Sequence, residues 1–310
     1  MASNLAIETR GLSKNYDQTR VVKSLDLAIG TGQFYGLLGP NGAGKSTTIH
    51  MLTTMTKPTE GDAWIAGQSV LSDPVAIRSM VGLVFQDSAL DRMMTVEENL
   101  QFAAALYHLN PTQATQRINE LLAIFGLENK RKAKLAALSG GQRRAVDIAR
   151  GVMHKPRVLF LDEPTIGLDL PNRRAIWRFV EQLRKEEGMT VFLTTHYLEE
   201  AASCDWVDFI QHGQRRQGGA PQDLIRSLAA YILEIDCLDV HAVNQQLAPH
   251  FGEALWEDQQ LSFKIMDEDV DFSQLQQSLG KRIHSMQWRR ANLNDVYLWT
   301  VGAQTQRGAE

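Results

Sequence analysis

The stretch Gly39-Pro40-Asn41-Gly42-Ala43-Gly44-Lys45-Ser46-Thr47 constrains this chain more than any other feature. It satisfies the pattern G-x-x-x-x-G-K-[ST], and it lies between an apolar run, Phe34–Leu38, and a segment that switches to helical spacing after Gly44. A strand, a tight glycine loop and a helix in that order turn a row of backbone N–H groups toward one point, at the positive end of the helix and with no Cβ in the way. Such a loop suits a triphosphate, which brings about three to four negative charges. Lys45 adds a point charge on a flexible stem that can follow the β- and γ-phosphates. The Ser46 hydroxyl is a hard oxygen suited to Mg²⁺, an ion that keeps several waters. A chance glycine-rich turn would satisfy the string but would have no reason to sit between a strand and a helix.

Length and composition narrow the setting. The 310 residues, 44% hydrophobic and 22% charged, allow at most two domains and exclude a disordered chain. With 32 basic against 36 acidic residues, the formal charge of −4 has the wrong sign for a protein that holds nucleic acid mainly through its phosphates. Cys204 and Cys237 stand far apart and in no metal-ligand spacing, so a reducing compartment fits better than a disulfide framework or a zinc site. The first thirty residues carry no basic-then-apolar signal segment, and no apolar run approaches the roughly 18–20 residues needed to cross a bilayer. The chain is expected not to span a membrane by itself.

The pattern along the chain implies an α/β domain followed by a smaller one. Residues 6–66 read as short β-prone runs, Val21–Ile29 and Phe34–Leu38 among them. Ser79–Phe85 is short and apolar, and Val96–His108 and Gln113–Phe125 carry apolar residues at helical spacing, which predicts a helical insert over about 87–155. A second alternation follows: helix at Gln142–Met153, strand at Val158–Leu161, helix at Asn172–Glu187, strand at Val191–Thr194, helix at Leu198–Ser203 and strand at Val207–Ile210. Continuously apolar strands separated by helices predict a parallel sheet buried on both faces.

Around Gly218–Pro221 the pattern breaks, and the domains are placed at 1–220 and 221–310. Strand-like Tyr231–Ile235, helical His241–Leu247, a hairpin of Ala254–Trp256 and Leu261–Met266, helical Phe272–Leu279 and strand-like Ile283–Gln287 give the order βαββαβ, a small α+β sandwich of ferredoxin-like type. Asn292 is placed to cap a terminal helix with Asp295 in its first turn. Between Tyr231 and Asp271 there are ten acidic residues and one base, Lys264, so this module is not a phosphate binder.

Val158–Leu161 runs into Asp162-Glu163-Pro164. Alternation along a strand predicts that the two acids point to different sides and do separate jobs. Asp162 is suited to hold magnesium, usually through water, and Glu163 to orient and polarise the attacking water, a role worth about 10²–10⁴ in rate. Alone, a strand-end Asp-Glu-Pro is a solvated turn; behind a phosphate loop it reads as chemistry. Leu138-Ser139-Gly140-Gly141-Gln142 opens a helix whose stripe is Ala145, Ile148, Ala149 and Val152, with Arg143 and Asp147 outside it. Gly151 inside that helix costs about 1 kcal/mol relative to alanine.

As a unit, Leu-Ser-Gly-Gly-Gln resembles the signature sequence of the ATP-binding cassette (ABC) family. The resemblance covers nearly all of residues 5–220: the phosphate loop, Gln86 after an apolar strand, the signature, Asp162 and Glu163, Gly167-Leu168-Asp169, and Thr195-His196 come in family order. It implies a P-loop NTPase domain with an antiparallel β subdomain and a helical insert, binding ATP and Mg²⁺. By the same resemblance, Tyr16 stacks on adenine, Gln86 contacts Mg²⁺ and the attacking water and senses a membrane partner, and His196 hydrogen-bonds the γ-phosphate. Ser139, Gly140, Gly141 and Gln142 would serve the nucleotide held by a second copy of the chain, and Asp169 would cross that interface. Ile166 departs from the small or polar residues frequent at its position.

Arg290–Leu298 and Thr194–Ala201 are similar to exporter ATPases of the daunorubicin-resistance type. Such subunits work with separate multispan permeases, which implies a place at the cytoplasmic face of the inner membrane. The acidic tail is expected to be a stability or dimerisation module without substrate contact. Two other readings are an importer's energising subunit and a non-transport cassette acting on ribosomes or DNA; the latter usually carries two cassettes or long coiled coils, which this chain lacks.

Overall fold

The computed structural model describes residues 5–266 and 270–302. They fall in two compact units, Met1–His196 with Ile210–Arg215, and Tyr197–Phe209 with Arg216–Glu310.

The first unit opens with β1 (Leu5–Tyr16), β2 (Thr19–Gly30), β3 (Phe34–Leu38), α1 (Lys45–Leu52), β4 (Glu60–Ile65) and β5 (Gln68–Ser69). The order β2-β1-β4-β5 makes an antiparallel sheet. What reads in sequence as several short runs is here a pair of strands of 12 residues each. Register shifts such as the one between Thr9 and Leu12 bend this pair and interrupt the period of two.

Next come α2 (Pro74–Met80), β6 (Val81–Val84), α3 (Val96–Leu106), α4 (Pro111–Ile124), α5 (Gly140–Gly151), β7 (Val158–Asp162), α6 (Leu170–Glu187) and β8 (Thr190–Thr195). Strands β3, β8, β7 and β6 lie side by side and parallel. Every residue of β3, β7 and β8 is buried, as their unbroken apolar runs require. Tyr35, Phe160 and Phe192 interlock at their centre, with ring centroids 5.0 and 5.4 Å apart.

Gly151 has a packing reason. A Cβ there would stand 3.0 Å from Val84 Cγ2, and one on Gly82 would strike the Gly151 carbonyl, so two facing glycines set how closely α5 approaches β6. Asp147, expected outside the stripe of α5, is instead buried: its carboxylate meets Arg144 at 3.2 Å and Arg150 at 3.5 Å. Ion pairing on the same helix lets a carboxylate enter a face that hydropathy alone reserves for apolar residues.

The second unit holds α7 (Leu198–Ala201), most of β9 (Trp206–Gln211) and of β10 (Gln214–Gly219), α8 (Pro221–Leu228), β11 (Tyr231–Cys237), α9 (Val240–Phe251), β12 (Leu255–Glu257), β13 (Gln260–Ile265), α10 (Phe272–Leu279), β14 (Ile283–Arg290) and α11 (Leu293–Tyr297). Its sheet runs β12-β13-β11-β14 with every pair antiparallel, the ferredoxin-like arrangement. Leu233, Ile235 and Phe263 pack under Val243, Leu247 and Leu279 of the two long helices. Asn292 caps α11 in a reciprocal capping box with Asp295, whose carboxylate also takes two 2.8 Å hydrogen bonds from Arg289. Of the acidic residues counted between Tyr231 and Asp271, Asp267, Glu268 and Asp269 lie outside the described residues.

Candidate nucleotide site

Parallel register builds this site. Leu38 pairs with Thr195, Asp162 with Thr194 and Val84 with Leu161, so four carboxyl ends finish at one level of the sheet. The residues that leave those ends are Gly39 and its loop, Phe85-Gln86, Glu163, and His196. A crevice beyond the carboxyl ends of parallel strands is the ordinary ligand position of an open α/β sheet. Here it is a cavity of about 300 Å³ lined by Val21, Asn41, Gly42, Gly44, Lys45, Ser46, Thr47, Gln86, Glu163, Ile166 and His196. A larger hollow of about 690 Å³, bordered by Leu5, Trp64 and Gly188, has none of the phosphate-loop residues; chemistry rather than volume locates the site.

At the loop, Gly44 sits at φ 105 as the N-cap of α1 and gives that helix no side-chain cap. Its Cβ, if it had one, would lie 2.9 Å from the Val21 carbonyl oxygen. By contrast, α3, α4, α5 and α6 are all capped, by Thr95, Asn110, Ser139 and Asp169. The start of α1 therefore keeps N–H groups for an anion. Buried Lys45 donates to the Gly39 carbonyl at 2.8 Å and the Pro40 carbonyl at 3.2 Å, and its ammonium is 3.2 Å from Glu163 Oε1.

The two acids do not separate as strand alternation predicts. The strand ends at Asp162, and Glu163 takes the left-handed conformation with φ 45, which turns its carboxylate back to the loop. Asp162 Oδ1 accepts from Ser46 at 3.1 Å and from Thr194 at 2.5 Å. Glu163 Oε2 lies 3.1 Å from His196 Nδ1. Their jobs still differ: Asp162 faces a hydroxyl, and Glu163 bridges a cation and an imidazole. A strained backbone held at such a place is how active sites store geometry.

The donors fit the groups that the motif calls for. Ser46 and Asp162 present hard oxygens to one point, and among the described residues no cluster of three or more His, Cys, Asp or Glu side chains could cage a metal. Magnesium here would draw its other ligands from phosphate oxygens and water.

Other predicted residues lie off this cavity. Tyr16 is 44% exposed at the end of β1, with Lys14 Nζ 5.0 Å from its ring centroid. Ser139 and Gln142 form a reciprocal capping box on α5, beside exposed Gly140 and buried Gly141. Asp169 caps α6 by accepting from the Asn172 backbone N–H at 2.9 Å. Ala43, also in the phosphate loop, is buried, and its amide donates to the Pro40 carbonyl.

The ABC transporter family model matches residues 22–166. The daunorubicin/doxorubicin resistance ATP-binding protein of Streptomyces peucetius is 37% identical over 96% of this chain and 92% of its own length. The chain belongs to the ABC transporter family. It is an ATP-binding cassette, and its activity is ATP hydrolysis coupled to transport. A Nod factor export ATP-binding protein of Mesorhizobium japonicum is 35% identical over 98% of this cassette and 89% of that protein. Among solved structures, an ATP-binding cassette determined as a dimer in a post-hydrolysis state with ADP and Pi superposes with a TM-score of 0.63 at 27% identity, covering 69% of this chain and 98% of that one.

No helix among the described residues is long and apolar enough to cross a membrane. Sequence reasoning missed three residues that shape the cassette's site: Thr194, which holds Asp162, and the buried pair Arg144 and Asp147. Burial pulls the Arg144 guanidinium down and pushes the Asp147 carboxyl up, while each charge works against the other's shift. The available signal was an Arg-x-x-Asp spacing, one helical turn, just inside the signature helix.

Proposed function

We propose that this cassette is the nucleotide-binding subunit of an exporter, driving a separate integral-membrane permease from the cytoplasmic face of the membrane. What carries the reading is the convergence of Lys45, Ser46, Gln86, Glu163 and His196 on one cavity, with Asp162 bonded to Ser46, in a chain whose relatives are named for daunorubicin resistance and Nod factor export.

In this proposal, Lys45 and the N–H groups of the phosphate loop hold the β- and γ-phosphates. Ser46 and Asp162 hold Mg²⁺, with Gln86 beside it; the ion's contribution is to neutralise charge that develops on the phosphates. Glu163 takes a proton from the attacking water, His196 donates to the γ-phosphate, and Tyr16 stacks on the base. Ser139, Gly140, Gly141, Gln142 and Asp169 belong to a second nucleotide site, completed when two copies close face to face. None of the five lines the cavity of its own copy, and Ser139, Gly140 and Asp169 are exposed, which supports that assignment. Residues 1–220 then carry the cassette function, and residues 221–310 form an acidic module that makes no contact with the transported substrate.

The test is phosphate release by the purified chain with Mg²⁺ and ATP, joined to affinity purification of the tagged chain from detergent-solubilised membranes. The expected results are turnover lost in Glu163→Gln and recovery of a multispan protein with the chain. Turnover without any such partner would remove the exporter reading.

A further inference from the structure

The loop that carries Gln86 and the turn that carries Glu163 are held by one side chain, and it belongs to neither. Arg144 leaves α5 as a buried guanidinium, 8% exposed. Its Nε–H donates to the Pro164 carbonyl, and its Nη1–H donates to the Phe85 carbonyl at 2.7 Å. Phe85 immediately precedes Gln86, and Pro164 immediately follows Glu163. Asp147, one turn along α5 and 1% exposed, meets the same Nη1 at 3.2 Å. The Gln86 segment is thus tied at Phe85 by an arginine that Asp147 holds on the helix that begins at Ser139. Nη2 has no hydrogen-bond partner. The guanidinium keeps a spare donor with which to change acceptors without leaving its place.

We propose that Arg144 is a positioning residue for hydrolysis: held by Asp147, it ties Phe85 and Pro164 into one body and so sets Gln86 and Glu163 against each other. It touches no reacting atom. Its geometry also gives a route for the signature loop to be felt at the chemistry, because a displacement of α5 pulls both carbonyls at once. A planar guanidinium suits this task, since its fixed fork reaches two carbonyls in different directions, which a single ammonium at the end of a flexible stem does not. Misplacement of a catalytic group by about 1 Å can cost on the order of 10² in rate.

This inference rests on the ATPase reading of Gln86 and Glu163, and wild-type turnover tests that reading separately. In protein that turns over, Arg144→Lys keeps the charge beside Asp147 but loses one of the two carbonyl bonds. The expected result is a kcat lower by about tenfold or more, with the dissociation constant for ATP within about threefold of wild type. Asp147→Asn keeps the shape and an acceptor for Nη1 but removes the charge that holds Arg144, and is expected to lower kcat by a few-fold with ATP affinity kept. In the Gln86→Ala background, the effect of Arg144→Lys on kcat is expected to shrink, because part of its action passes through Gln86. Wild-type kcat in both single variants would overturn the proposal. So would a fall in ATP affinity that matches the fall in kcat/KM, or full additivity with Gln86→Ala. If Arg144→Lys does not fold, Asp147→Asn decides.

Discussion

A lysine and a glutamate 3.2 Å apart, both almost fully buried, define the chemistry available at the nucleotide site. Lys45 is the smaller puzzle, because its charge is compensated by Glu163 and by two loop carbonyls that a phosphate would replace. Lys45→Ala is expected to weaken nucleotide binding itself by about tenfold or more, read by titration calorimetry with Mg²⁺ and ATP, since a charge-assisted contact to phosphate is lost. Glu163→Gln keeps the shape and the φ 45 turn but removes the proton acceptor. It is expected to retain ATP affinity and to lower turnover by about 10²–10⁴ in a phosphate-release assay; retained turnover would reassign the base. At this scale the sequence was informative where the chemistry demands a local string. Gly39–Thr47 and Asp162-Glu163 are legible because phosphate and metal need neighbouring donors. Arg144 and Thr194 were not, because their partners are carbonyls and a carboxylate 20 to 59 residues away.

Close approach of elements decides what the helices around the sheet tolerate. A Cβ on Gly82 meets backbone, the Gly151 carbonyl, at 2.3 Å, whereas one on Gly151 meets a Val84 methyl at 3.0 Å. Gly82→Ala is therefore expected to destabilise the cassette by about 1–3 kcal/mol in urea unfolding. Gly151→Ala should cost less, since the helix regains about 1 kcal/mol of propensity. His154 joins segments far apart in the chain: its ring stacks on Tyr107 with centroids 3.6 Å apart, and its Nε2–H donates to the Val81 carbonyl at 3.0 Å. Burial, aided by Arg117, holds its pKa down, from 6.5 to about 4. Below pH 6.5 the unfolded chain takes up a proton that the fold refuses, so stability is complete above 6.5 and declines as pH falls toward about 4. His154→Phe keeps the stack and is expected to make that decline shallower in urea titrations across this range. Strongly periodic elements such as α4 and α6 could be read directly, but β4, α2 and α8 could not. These are short, of six to eight residues, and are stabilised by neighbours that no local window contains.

For the whole molecule, the proposed division of labour is between the phosphate-loop cavity and loops that do not line it. Ser139, Gln142 and Asp169 cap their own helices and Gly140 is exposed; in the proposed cycle they finish a site whose phosphate loop a second copy supplies. Glu163→Gln with ATP is expected to elute as a dimer on size exclusion and to return to monomer with ADP. A monomer under both nucleotides would remove dimerisation from the proposed cycle. The ferredoxin-like strand order was legible because each of its strands and helices is local, and only pairing had to be inferred.

The floor of the phosphate loop has a consequence in time. Gly44 packs on Val21 and against Gly213, and Gly39 has no room for a Cβ because the Ile210 carbonyl is there, so a late segment completes what residues 39–47 begin. A nascent chain elongating at about 5–20 residues per second would wait on the order of ten to thirty seconds between making the loop and gaining that floor. Ribosome-bound fragments ending before Ile210 should therefore be blind to ATP in limited proteolysis, and nucleotide should begin to protect the chain only once Gly213 has left the exit tunnel.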